Sequence, residues 1–265
     1  MSTPEHSADP TSTDAWASMR RTTQARIGLG RAGNSLPSRR VLEFQAAHAA
    51  ARDAVHQPLD AATITDTLAD LGLGTPVTVT SRAADRGQYL RRPDLGRVPE
   101  DLSQLTESGA EVGIVIADGL SPRAVVDHGH GLVTALLDAF DGRYSIAPPV
   151  IATQARVALG DHIGQALGVT TLIVIIGERP GLSVADSLGI YLTHLPRPGR
   201  TDADRNCISN IHPPDGLHYD IAAQITAALV DGARKLGRSG VALKDTTRQA
   251  ELENLDGADE LTIDS

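Results

Sequence analysis

Two rhythms of apolar and polar positions divide the chain. In the first, Leu42, Ala46, Ala49 and Ala50 recur at helical spacing and predict a helix over residues 38–56. Ser38 follows Pro37 in the N-cap position, and Pro58 ends the element. Ile64, Leu68 and Leu71 share one face of a second helix over 61–71, closed by Gly72 and Gly74. From residue 111 the pattern changes to short, nearly unbroken apolar runs. Residues 112–118 and 171–177 have the signature of strands buried on both faces. Further strands are predicted at 77–80, 150–153, 189–195 and 207–211. Helices fall at 122–140, with Pro122 in the favoured first turn after Ser121, and at 157–167 and 220–236.

Strand and helix alternate with short connections, which predicts an α/β fold. The expected architecture is a Rossmann-like, mostly parallel sheet with a small helical N-terminal domain. Along the chain this gives a flexible tail (1–24), a helical N-terminal domain (25–75), an irregular connection (76–110), a Rossmann-like domain (111–243) and an acidic tail (244–265). The patch Ala15-Trp16-Met19 lies inside the first tail and is read as frayed rather than docked.

Composition supports this picture. Aromatics make up only 3% of the chain, so the core must be built from Val, Ile, Leu and Ala, which suits a helix-covered parallel sheet. No apolar run reaches the roughly 18 residues of a membrane span, and the polar start has no secretory pattern. A single cysteine, Cys207, excludes an internal disulfide and fits a reducing cytoplasm. Net charge is −9, and residues 245–265 carry seven acidic side chains against one arginine, so the remainder is near neutral. Without a basic block interleaved with aromatics, nucleic-acid binding is unsupported.

Candidate chemistry narrows the field less than the fold does. Gly28, Gly30 and Gly33 spell G-x-G-x-x-G, but no strand feeds them, and Asn34-Ser35-Leu36-Pro37 delays any helix. A dinucleotide site needs both, so the glycines are read as serving a turn or a close backbone contact. The rival function they would support is a self-sufficient NAD-dependent oxidoreductase. His128 and His130, beside Asp127, sit two apart in a predicted helix and point to different faces, which disfavours a metal clamp. Glu178, in GERPG at the end of the strongest strand, stands where open α/β sheets bind ligands. A carboxylate there accepts from ligand N–H groups; the bland alternative is a surface turn with a Glu178–Arg179 pair. Cys207 approaches the same edge, with no base at a spacing that would make it a nucleophile. The residues by themselves lead to an α/β ligand-binding protein of unassigned ligand.

Five ordered blocks carry more. ARIGLGRAGNSLPSRRVLEFQAAHAAARDAVH (25–56), RGQYLRRPDLGR (86–97), IADGLSPRAV (116–125), IIGERPGLSVADSLGIYLTH (175–194) and PRPGRTDADRNCISNI (196–211) resemble the light chain of ethanolamine ammonia-lyase. The resemblance spans about residues 20–243. It implies a carbon–nitrogen lyase that converts ethanolamine to acetaldehyde and ammonia with adenosylcobalamin by radical chemistry, active as a hetero-oligomer with a large catalytic subunit. The light chain would help to enclose the coenzyme, which carries the hard chemistry. Matching the family's contacts, Val157 would give apolar contact, Glu178 would accept from corrin amides, and Cys207 would pack against or weakly hydrogen-bond the same cofactor. No residue of this chain would be catalytic or bind a metal directly. The sequence lacks D-x-H-x-x-G, by which one class of B12 proteins replaces the lower cobalt ligand, and the family's base-on mode agrees. The resemblance further implies a cytoplasmic enzyme, in some relatives inside a bacterial microcompartment. A scaffold that has lost cobalamin is the remaining alternative.

Overall fold

Residues 16–244 are described by the structure, a computed structural model, in two units that divide between Ala49 and Ala50. Most of the expected flexible tail, residues 1–15, and nearly all of the acidic tail lie outside the described residues.

In the first unit, a short helix α1 (Ala17–Arg20) precedes the glycine segment and the start of α2 (Ser38–His56). The Arg20 guanidinium donates to the Gly28 carbonyl at 2.6 Å. A Cβ at Gly28 would lie 2.1 Å from the Trp16 side chain, so glycine is required by close approach. Gly33 (φ +62°) sits in a two-residue turn, with Ala32 and Ser35 exchanging backbone hydrogen bonds at 2.8 and 3.1 Å. A close contact and a turn account for Gly28 and Gly33, as expected, and no strand precedes them among the described residues.

The second unit is built on six strands. They are β1 (Val77–Thr80), β2 (Val112–Ala117), β3 (Val150–Thr153), β4 (Thr171–Gly177), β5 (Leu188–His194) and β6 (Arg205–Ile211), in the order β1-β3-β2-β4-β5-β6. The first three pairings are parallel; β4–β5 and β5–β6 are antiparallel. The mostly parallel sheet is therefore as expected, with an antiparallel half that the apolar runs did not distinguish.

Helices cover both faces. Ile114 and Ile116 of β2 and Ile173 and Ile175 of β4 pack against α3 (Ala61–Leu68), α5 (Pro122–Phe140) and α7 (Tyr219–Leu236). The alternate residues Val115, Leu172, Val174 and Ile176 face α6 (Leu159–Leu167) through Leu159, Ile163 and Leu167. This two-sided burial is why β2 and β4 read as unbroken apolar runs. α5 begins as expected, with the Ser121 hydroxyl accepting from Ala124 N at 3.3 Å and Pro122 in its first turn.

Two stretches differ from the sequence reading. α3 packs its Ile64 and Leu68 into the main core, not into a separate N-terminal helical domain. In the stretch 76–110, the strand expected at 77–80 is present as the edge strand β1, but the part beyond it, expected to be irregular, supplies a helix, α4 (Arg86–Arg91). α4 buries Arg86 and Tyr89 instead of an aliphatic stripe, so its period is invisible to a hydrophobic pattern. Among the described residues, no helix is long and apolar enough to cross a membrane.

Candidate ligand cleft at the sheet switch point

The chain leaves β2 through α5 to reach β3 on one side, then crosses through α6 to β4 on the other side of β2. The carboxyl ends of β2 and β4 thus flank a topological switch point, the place where an open α/β sheet leaves a crevice. The backbones meet closely below it. Leu120 N donates to the Gly177 carbonyl at 2.9 Å, and a Cβ at Gly177 would lie 2.1 Å from Ser121 O. Above this floor opens a cleft of about 430 Å³, walled by Tyr89, Arg156, Val157, Ile176, Glu178 and Tyr191.

Asp118, just past β2 and 1% exposed, ties the floor together. Its carboxylate accepts from Gln154 N and Ala155 N, each at 2.8 Å, and from Arg86 Nη1 at 3.1 Å. Burial pushes the carboxyl up to about 6, opposed by the Arg86 charge and the backbone donors. These bonds hold the left-handed turn at Gln154 (φ +53°), which delivers Arg156 and Val157 into the cleft. They also seat α4, whose Tyr89 hydroxyl donates to Ala155 O at 3.0 Å. The guanidinium carbons of Arg86 and Arg156 lie 4.7 and 4.3 Å from the Tyr89 ring centre, within cation–π range. Burial raises the Tyr89 pKa, which keeps the hydroxyl a neutral donor.

Glu178 enters from the end of β4. Its Oε2 accepts from the Ser187 hydroxyl at 2.7 Å and from Asn210 N at 3.2 Å, which fixes the side chain. Oε1 has no hydrogen-bond partner among the described residues and remains available as an acceptor at the cleft wall. Arg179 forms no ion pair with Glu178, so the bland surface-pair reading does not describe this turn. Cys207, on β6, is the cross-strand partner of Tyr191. Their side chains therefore share one face of the sheet. Although Cys207 is exposed as a residue, partial burial of the thiol pushes its pKa up, while Tyr191 is pushed up to about 12 by burial and the sulfur. Both therefore stay neutral at ordinary pH.

The three residues singled out from sequence thus converge. Val157 and Glu178 line one cleft, and Cys207 stands beside its Tyr191 wall. Their chemistry is that of binding: an apolar contact, a fixed acceptor and a neutral thiol without a base. The histidines lie elsewhere and diverge as expected, with His128 Nδ1 bonded to the Tyr219 hydroxyl at 2.6 Å and His130 Nε2 3.4 Å from Asp70. No group of three or more metal-ligating side chains occurs among the described residues. Tyr89, Asp118, Arg156 and Tyr191 were not singled out from sequence. Asp118 carried a signal, as the polar residue ending a buried apolar run. So did the tyrosines, which are four in a chain nearly devoid of aromatics.

Fold and cleft define an α/β protein with an open cleft at the carboxyl edge of its sheet. Comparison with known proteins specifies which. Residues 13–244 match the family model of the ethanolamine ammonia-lyase light chain. A Rhodococcus erythropolis protein named ethanolamine ammonia-lyase small subunit is 67% identical, over 89% of this chain and 91% of its own length. Proteins of the same name from Azotobacter vinelandii and Bradyrhizobium diazoefficiens are 47% and 51% identical, over 94% and 86% of this chain and 94% and 89% of theirs. The chain belongs to the ethanolamine ammonia-lyase light chain family.

Proposed function

We propose that this chain is the cobalamin-binding small subunit of an adenosylcobalamin-dependent ethanolamine ammonia-lyase, working in a hetero-oligomer with a large catalytic subunit. The observation that carries the reading is the convergence of Val157, Glu178 and Tyr191-backed Cys207 at one sheet edge in a member of this family. The edge is used here as in a Rossmann-like sheet, with the ligand across the β2/β4 switch.

The residues present fit a large amphipathic macrocycle ringed by amides. Val157 and Ile176 offer apolar contact, the Tyr89 and Tyr191 rings offer broad faces, and the unused Glu178 Oε1 offers an acceptor for amide N–H groups. When bound, the coenzyme supplies radical chemistry by homolysis of its cobalt–carbon bond. This chain orients and shields. Ser187 and Asn210 hold Glu178 in its acceptor pose, and the Asp118 network holds the turn bearing Val157. In this reading the substrate and the reacting carbons belong to the large subunit. Against that subunit the open cleft becomes enclosed, which excludes water from reactive species. The same reading puts the complex in the cytoplasm, free or within a bacterial microcompartment.

Coexpression with the large subunit tests this. The complex should take up corrinoid, visible by its absorbance, and turn over ethanolamine; the isolated chain should show no turnover. Deamination by this chain alone would overturn the division of labour, and an assembled complex without corrinoid would overturn the cofactor role. Glu178→Gln should weaken cofactor affinity roughly tenfold while leaving assembly intact. Loss of assembly would make Glu178 a structural residue.

A further inference from the structure

A second cleft of about 420 Å³ shares Arg156, Val157 and Tyr191 with the first, and its remaining wall is basic, with Arg97, Arg200 and Arg205. Charge within it is unevenly satisfied. Arg205 is neutralised by a bidentate bond to Asp161, at 2.7 and 2.8 Å. Arg200 lies 3.7 Å from Asp204 and donates to the carbonyls of His194 and Leu195. Arg97 and Arg156 pair with no carboxylate among the described residues, nor does Arg179 on the neighbouring wall. The one acidic side chain of the cleft, Asp202, is 96% exposed and turned to Arg205 Nε at 3.7 Å.

Arg156 is the most underused of these cations. Its Nη2 makes a single long bond, 3.4 Å to Tyr89 O, and its buried Nε has no acceptor. Its position is nevertheless fixed, because the backbone N–H donates to Gly96 O at 2.8 Å and the guanidinium stacks over Tyr89. A guanidinium held in place without its counter-anion is a preorganised anion receptor.

We propose that this arginine-lined cleft is a phosphate subsite that takes the phosphodiester of cobalamin's nucleotide loop, with Arg156 as its principal donor and Arg97 at its rim. The proposal rests on the cofactor reading above and deepens it. Peripheral amides of a corrin are neutral and suit the Glu178 acceptor. The nucleotide-loop phosphodiester is the anion among the coenzyme's side groups, and it matches the cations left unpaired beside that acceptor. One continuous surface thus separates its donors from its acceptor as the ligand does.

The test compares two corrinoids on the assembled complex with the large subunit: cobalamin, and cobinamide, which lacks the nucleotide loop and its phosphate. Arg156→Gln should weaken cobalamin binding roughly tenfold or more, but cobinamide binding no more than about twofold. Arg156→Lys, which keeps the charge, should retain most of the cobalamin affinity. Arg97→Gln, an exposed change that does not threaten folding, should weaken cobalamin about two- to threefold and leave cobinamide unchanged. Equal losses for the two corrinoids in both glutamine variants would overturn the subsite while sparing the cofactor role; so would unaltered cobalamin affinity. If Arg156→Gln fails to assemble, the Arg97→Gln comparison decides alone. A wild-type complex that binds neither corrinoid removes the cofactor reading and the subsite with it. Saturable binding of inorganic phosphate, lost in Arg156→Gln and not competed by cobalamin, would instead make this a free-anion site and overturn the proposal.

Discussion

The two halves of the sheet obey different rules. In the parallel half every residue of β2 and β4 is buried, with α5 on one face and α6 on the other. In the antiparallel half, β6 buries Arg205, Ile208 and Ile211 while Cys207, Ser209 and Asn210 are exposed. An antiparallel pair reached by short connections needs no crossover helix, so one of its faces is free to be polar. The candidate cleft lies at the seam. Ile176 lies in the fully buried β4 and Glu178 just past its end, Tyr191 is the half-buried residue of β5, and Cys207 stands beside it on the half-open β6. The buried half supplies rigidity, and the open half leaves polar side chains accessible beside the cleft.

The sharpest way to break this contrast is at the seam itself. Asp118→Ala removes the acceptor shared by Gln154 N, Ala155 N and Arg86, and leaves the Arg86 charge buried. Breaking one side of a buried ion pair costs about 3–5 kcal/mol, which urea unfolding would measure. A loss below about 1 kcal/mol would mean that other contacts hold the switch point. The next effect contrasts the halves directly. Ile173→Ala, in the centre of β4 and fully buried, should cost about 2–5 kcal/mol. Ser209→Ala, on the open face of β6, should stay within about 0.5 kcal/mol. Comparable losses at the two positions would remove the distinction between a two-sided and a one-sided half.

How far the sequence already contained this picture follows from the same physics. Strands covered on both faces announce themselves, and 150–153 and 171–177 were readable residue for residue because burial leaves no polar interruption. Strand direction was not readable, since the apolar run of β5 is the same whether it pairs parallel or antiparallel. α4 was missed because it buries Arg86 and Tyr89, whose burial depends on Asp118 and Ala155, 32 and 66 residues away. Glu178 and Cys207 were legible at the edge because the crevice rule refers only to strand ends. Val157 came from family resemblance alone. Arg156 was not legible, because an arginine without a counter-ion is defined by what is absent around it in the fold.

The smallest expected effect lies on the open half, at Cys207. It lies directly across from Tyr191 on β5, and burial with the nearby Glu178 charge holds the thiol pKa above its ordinary value. Cys207 is therefore a neutral, weakly polar contact, and Cys207→Ser should weaken corrinoid binding by only about two- to threefold. Stability should change little, since the residue is exposed and its strand is anchored by Ile208 and Ile211. The isolated chain should also react with iodoacetamide at pH 7.5 more slowly than a free thiol, because the thiolate is the nucleophile. A faster reaction would show a depressed pKa and an electropositive setting. The open half would then be a reactive surface, not the passive wall that the Tyr191–Cys207 pair describes.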